Sequence, residues 1–248
     1  MTTLISFDVD GTLIHSVGEH ANRLHKEAFT AAFKQVFNFN TSIDVIQHHG
    51  STDPLILIKV LTDAHGIDKD QAMAKLPEMQ QAMVDYYVAQ RDRAGQGLEL
   101  LPGVKELLLA LKERGDVAVC LVTGNMEPIG WTKMEALGIK HLFTEPFFGG
   151  FGSDFCSGNT EQSWKDRAEL VRIAAKRAEE NLSGGLRARF HVGDAPMDVS
   201  AAEAAGAQAV GVTTGIYTRQ ELAQAGQSVV VLDGLQDLQS IFEVFNLS

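Results

Sequence analysis

Short apolar runs recur along the chain at residues 4–7, 117–122, 190–192, 207–212 and 229–232. Each is too short for a helix and the set is rich in Val and Ile, so each predicts a buried strand. Between them apolar residues return every three or four positions, over 104–114, 131–137, 168–181 and 197–205, which predicts helices. Pro102-Gly103 opens the first of these, and Gly138 and Gly206 stand just past the ends of the second and fourth, where glycine stops a helix. Strand and helix in alternation predict an α/β fold with a Rossmann-like three-layer core: a mostly parallel sheet with helices on both faces.

Residues 17–97 break that rhythm. They offer long helical patterns, at 19–37, 53–64 and 69–91, and no convincing strand. This stretch reads as a small all-helical domain inserted after the first strand. The core would then comprise residues 1–16 and 98–248. The stretch GGFGSDFCSGNT, residues 149–160, has the composition of a mobile surface loop.

Composition narrows the function without naming it. At 248 residues the chain can bury one sizeable core and a smaller appended unit. A formal net charge of −11 argues against nucleic acid as a partner, because a phosphate-backbone grip needs surplus Lys and Arg. An acidic protein that handles phosphates needs a local positive device, such as a metal ion, a basic side chain or helix N-termini. The two cysteines, Cys120 in an apolar run and Cys156 in the glycine-rich loop, have neither metal-site nor disulfide spacing. The first acid, Asp8, arrives too early for a signal peptide, and no apolar run reaches membrane-spanning length. The expectation is a cytoplasmic protein with no membrane partner.

The polar residues just beyond the predicted strands change the picture. In an open parallel sheet, ligands bind past the C-terminal strand ends. There SFDVDGTL places Asp8, Asp10 and Thr12, VAVCLVTGN places Thr123, Gly124 and Asn125, and FHVGDAPMD places Asp194 and Asp198. Taken singly, each has an ordinary explanation: a turn for Asp-Gly, a helix cap for Asp194 and Asp198, a strand-to-helix turn for Thr-Gly-Asn. A calcium loop is poorly matched, since the later ligands and closing Glu are missing. Four carboxylates on one cleft would repel unless a cation neutralised them, and hard oxygen donors suit Mg²⁺. Such an ion could also take a phosphate oxygen, leaving one acid to attack phosphorus and another to move protons.

FDVDGTL, LVTGN and VGDAPMD resemble three signature motifs of the haloacid-dehalogenase-like hydrolase superfamily, and AAEAAGAQAVGVTTGIYTRQEL resembles its phosphoglycolate-phosphatase-like branch. The resemblance covers the core, about two thirds of the chain. It implies Asp8 as the nucleophile that forms an aspartyl-phosphate and Asp10 as the general acid/base. It also implies Mg²⁺ held by Asp8, the Asp10 carbonyl and Asp194, with Asp198 in support. Thr123 would bond the transferring phosphoryl group, helped by Gly124 and Asn125, while Gly11 and Thr12 shape the turn beneath it. The family further requires a basic residue near a helix start, and WKDRAELVRIAAKRA offers Lys165 or Arg167. Counting back from the alanines favours Lys165, whereas the wording D-R-x-E-L fits Arg167. The insert would be a cap over the site, with Gly50 and Ser51 in QHHGSTDP touching substrate, along with His48, His49 and Thr52. His15 and Ser16 would lie at the hinge. The function so implied is a Mg²⁺-dependent phosphatase for a small phosphorylated metabolite such as phosphoglycolate. A phosphosugar mutase is the alternative within enzymes, and a non-catalytic binding module is the alternative outside them. Monomer and dimer are both left open.

Overall fold

The computed structural model describes residues 1–247. Its first half contains β1 (Thr2–Phe7), β2 (Ile14–Ser16), α1 (Arg23–Phe37), α2 (Asp53–Lys59), α3 (Lys69–Ala89), β3 (Leu98–Leu100), α4 (Val104–Lys112) and β4 (Val117–Thr123). The second half contains α5 (Glu127–Ala136), β5 (Gly149–Phe151), α6 (Ser163–Asn181), β6 (Leu186–Gly193), α7 (Pro196–Ala204), β7 (Gln208–Val212), α8 (Arg219–Gln224), β8 (Val230–Leu232) and α9 (Leu238–Val244). Six strands form one sheet in the order β5-β4-β1-β6-β7-β8, and every pairing in it is parallel. β1 is therefore flanked by β4 and β6, which brings three motif-bearing strand ends side by side.

Alternation within single strands builds the layers. Ile5 and Phe7 of β1, with Val119 and Leu121 of β4, join a cluster with Leu107 and Leu111 of α4, Met134 of α5 and Ile241 of α9. Leu4 of β1, with Ala118, Cys120 and Val122 of β4, joins a second cluster with Leu170 and Ala174 of α6, Ala201 of α7 and Leu222 of α8. Successive side chains point to opposite faces, so a strand buried on both sides must be apolar throughout, as these are. Sequence and structure agree on a three-layer α/β core with a helical insert after the first strand.

The inserted helices have a cluster of their own. Phe29 and Phe33 of α1, Leu57 of α2, and Met79, Met83 and Tyr87 of α3 are buried together. That cluster runs on to Met126 and Ile129 at the start of α5, so the insert packs on the core where the Thr-Gly-Asn motif ends. Where the chain leaves the core and returns to it, β2 and β3 pair antiparallel, with His15 opposite Glu99. Helix α2 continues into a single π-helical stretch, Val60–Ala64. Among the described residues no helix is long and apolar enough to cross a membrane.

Residues 149–160 are only in part the surface loop their composition predicts: residues 155–159 are irregular, but the stretch begins otherwise. Gly149–Phe151 is the edge strand β5, and all three of its residues are buried. The glycines are there for close approach: a Cβ on Gly150 would stand 1.9 Å from the Leu170 carbonyl oxygen, and one on Gly149 2.3 Å from that of Leu121. Beyond the strand, Asp154 takes a two-oxygen ion pair from Arg177 at 2.6 and 2.8 Å. Buried Asp166 accepts from the Ser157 N–H at 2.9 Å and the Ser157 hydroxyl at 2.6 Å. Elsewhere α1 begins at Arg23 rather than residue 19, and α5 begins at Glu127 with a proline in its first turn.

Candidate active site

The first motif emerges where β1 ends. The Asp8 N–H donates to the Val192 carbonyl at 2.9 Å, and Leu13 and Ile14 both donate to the Val9 carbonyl, closing a tight loop. Gly11 sits at φ +88°, a region that disfavours any residue with a Cβ. A Cβ there would lie 2.4 Å from Asp194 Oδ2, and one on Gly215 would lie 1.7 Å from the same oxygen. Two glycines thus let the backbone close around one carboxylate.

Asp8, Asp194 and Asp198, all buried, bring oxygens within 4.8 Å of one another. Arg167 Nη1 stands 3.2 Å from Asp8 Oδ1 and 2.7 Å from Asp198 Oδ1. Burial opposes the guanidinium's charge, but Asp198 and Asp8 hold its pKa above the usual value. Burial would raise Asp198 too, yet Arg167 and His191 keep that carboxyl below its ordinary range. Asp8 is raised, chiefly by burial, against the pull of Arg167. Burial, and then the charges of Asp198 and Asp8, push Asp194 up to about 8.

That imbalance bears on the metal. Asp198 is engaged by Arg167 and by the Ala195 N–H at 3.0 Å, whereas Asp194 receives only a 3.3 Å bond from the Thr12 hydroxyl. The cluster holds more negative charge than one guanidinium offsets. A hard divalent cation would supply what is missing, and the donor set fits one. Asp8 and Asp194 are the carboxylates with oxygens to offer it.

Most of the residues singled out in the sequence border one cleft of about 560 Å³ between the core and the insert. Asp8, Asp10, Gly11 and Asp194 form part of its floor, with Thr123, Gly124, Asn125 and Arg167 beside them. His15, Ser16, His48, His49, Gly50 and Ser51 line it as well. Gly124 lies directly beneath the insert: a Cβ on it would come 2.7 Å from the Ser51 carbonyl oxygen. The Asp53 N–H donates to the Gly124 carbonyl at 2.8 Å.

Four residues are placed otherwise. Lys165 is exposed, its ammonium 5.6 Å from the Trp164 ring centroid, so of the two candidates Arg167 is the one that borders the cleft. Thr12 is fully buried and turns its hydroxyl to Asp194, orienting a carboxylate rather than facing the cavity. Asp198 lies behind the cleft wall and holds Arg167. Thr52 is buried away from the cavity.

Three residues escaped the sequence reading. Lys133, fully buried on α5, donates to both oxygens of Asp10 at 2.9 and 2.7 Å and to Asn125 Oδ1 at 2.9 Å. His25 of α1 lies 3.4 Å from the same ammonium, and Asp53 of α2 lies 3.1 Å from His25. Asn125 also donates to Asp10 Oδ2 at 2.9 Å and to the Thr123 hydroxyl at 2.8 Å. Burial would push Asp10 up, but Lys133, His25 and Asn125 together hold its carboxyl below the usual range. A signal for Lys133 existed. Met126, Ile129, Lys133 and Leu137 fall on one helical stripe, and a lysine in that position has to be paired.

Comparison with known proteins bears on the family. A family model described as haloacid dehalogenase-like hydrolase matches residues 2–206. A phosphoglycolate phosphatase from Haemophilus influenzae is 30% identical over 227 residues, covering 86% of each chain. One from Vibrio cholerae is 24% identical over 246 residues, 99% of this chain and 97% of that one. Among solved structures, a beta-phosphoglucomutase from Clostridium difficile superposes with a TM-score of 0.62 at 20% identity, over 99% of this chain and 98% of that one. At that identity the likeness speaks for the fold alone. A match over most of the chain, together with three motifs converging on one cleft, makes this protein a member of the haloacid dehalogenase-like hydrolase family.

Proposed function

We propose that this hydrolase is a Mg²⁺-dependent phosphatase of a small phosphorylated metabolite, working through an aspartyl-phosphate on Asp8. The observation that carries the reading is the setting of Asp8. Its carboxylate lies in the cleft beside Arg167, with Asp194 and Thr123 on the neighbouring strand ends. Arg167 Nη1 is paired with Asp8 and Asp198, while its Nε has no hydrogen-bond partner within the protein, so the buried guanidinium keeps a donor in reserve.

The tasks then divide among the residues. Arg167 and the Thr123 hydroxyl hold the phosphoryl oxygens, and the Gly124 and Asn125 N–H groups border the same space. An oxygen of Asp8 attacks phosphorus in line with the leaving oxygen, which takes a proton from Asp10. Water then attacks phosphorus and gives its proton to Asp10, and the bond from phosphorus to Asp8 breaks with its electron pair returning to the carboxylate. Asp8, Asp194 and the Asp10 carbonyl would hold Mg²⁺, which supplies charge neutralisation and a template for phosphate oxygens. Residues 17–97 act as the cap that excludes water other than the attacking one and contacts the rest of the substrate.

Phosphoglycolate is the leading substrate, because the curated relatives carry the name phosphoglycolate phosphatase. No feature of the cleft favours the mutase or the binding-module alternative. The test is phosphate release from phosphoglycolate, sugar phosphates and p-nitrophenyl phosphate, with Mg²⁺ and with chelator. Release that depends on Mg²⁺ is expected, and equal release under chelation would remove the metal from the scheme.

A further inference from the structure

Among the described residues Lys133 is the one fully buried ammonium beside the cleft, and four acceptor atoms surround its three N–H bonds. Three are core oxygens, the two of the Asp10 carboxylate at 2.7 and 2.9 Å and Asn125 Oδ1 at 2.9 Å. The fourth and longest contact is His25 Nδ1 at 3.4 Å, on helix α1 of the insert. An ammonium only donates, so Nδ1 presents its lone pair and the proton sits on Nε2, which donates to Asp53 Oδ2 at 3.1 Å. The same Asp53 oxygen accepts from the Met126 N–H at 3.1 Å, at the entry to α5. The chain Asp10–Lys133–His25–Asp53–Met126 thus starts in the core, passes through the insert and returns to the helix that carries Lys133.

The core oxygens grip the ammonium from one side and His25 closes on it from the insert, which leaves it fully buried. A buried charge is costly unless it is held among partners, so the docking of α1 and α2 fixes where this one sits. Asp10, by contrast, keeps its side chain 37% exposed to the cleft, so its aim depends on what grips it from behind. That grip is two-sided: Lys133 takes both oxygens, and Asn125 takes Oδ2.

We propose that Lys133 is the positioning residue for Asp10 and is itself held by His25 and Asp53, so that water attack on the phosphorylated enzyme reaches full rate only with the insert docked. The inference rests on the phosphatase reading, in which Asp10 takes the proton of the attacking water. Lys133 touches neither substrate nor phosphoryl group and acts through the carboxylate it orients.

The test is a stopped-flow comparison of wild type, Lys133→Met and His25→Phe on p-nitrophenyl phosphate with Mg²⁺. Nitrophenolate is a good leaving group that needs little proton donation, so the first half-reaction is insensitive to the aim of Asp10 while the second is not. Lys133→Met should show a burst of about one nitrophenolate per enzyme at near wild-type rate, then a steady state slowed about 100-fold, the scale of a misplaced general base. His25→Phe should show the same pattern with a loss of about tenfold, within the range a slightly misaligned group produces. Burst amplitude counts only folded, phosphorylatable molecules, so misfolding lowers amplitude and leaves the ratio of the two phases readable. Burst and steady state slowed together, or a steady state unchanged in Lys133→Met, would overturn the proposal. Asp8→Asn separates this failure from a wider one, because full activity in that variant would remove the phosphatase mechanism itself.

Discussion

Arg167 and Lys165 stand two residues apart, and two residues turn a helix by about 200°, so only one of them can face the cleft. The buried stripe of α6 runs through Val171, Ala174 and Ala178, and stepping back four residues from Val171 reaches Arg167. The phase of the helix was therefore the better guide than the count from its alanines. If Arg167 holds the transferring phosphoryl group, Arg167→Ala should lose about 10²–10³ in kcat, the scale of removing one preorganised donor. Lys165→Ala should stay within about twofold, since an exposed charge away from the chemistry has little to contribute. Steady-state rates on a single substrate decide this, and equal losses would take Arg167 out of the proposed role. Thr12 teaches the opposite lesson: a hydroxyl expected to shape the turn beneath the phosphoryl group has as its partner Asp194, a residue 182 positions away.

The elements divide by what makes them visible. β1, β4 and β7 were legible because central parallel strands are apolar on both faces and cannot be much else. β2 and β3 were not, since each is three residues long and is defined by the other across the whole insert. β5 was hidden for a different reason: glycine reads as a loop, and only the helix packed 1.9 Å from where a Gly150 Cβ would be shows why it is there. The four acids and Thr123 could be placed at one end of the sheet because each stands at or just past the end of a recognisable strand. Lys133, His25 and Asp53 sit inside helices, and their pairing exists only in three dimensions. The β5 reading makes a prediction at its own scale. Gly150→Ala should destabilise the fold by about 3 kcal/mol, the upper part of the range for overpacking, because carbonyl backbone cannot swing aside as a side chain can. A urea melt that keeps its midpoint would show that α6 and β5 do not approach as described.

The whole molecule places a local positive device inside a negative protein. With a net charge of −11, the general field repels a phosphate ester, and attraction has to be built at the cleft. The sheet order does that by setting β4, β1 and β6 together, so that Asp8, Thr123 and Asp194 share one end with Arg167 reaching in from α6. The insert covers that end through Ser51, Asp53 and His25, close enough that the motif glycine at 124 has no room for a side chain. On the proposed mechanism everything converges on one covalent event. The most direct measurement is acid-quenched mass spectrometry of the protein mixed with excess phosphate ester and Mg²⁺. The peptide carrying Asp8 should gain the mass of one phosphoryl group within the first turnover and lose it as substrate runs out, with no such gain in Asp8→Asn. An actively hydrolysing enzyme whose Asp8 stays unmodified throughout turnover, or a phosphoryl group found on another residue, would contradict it.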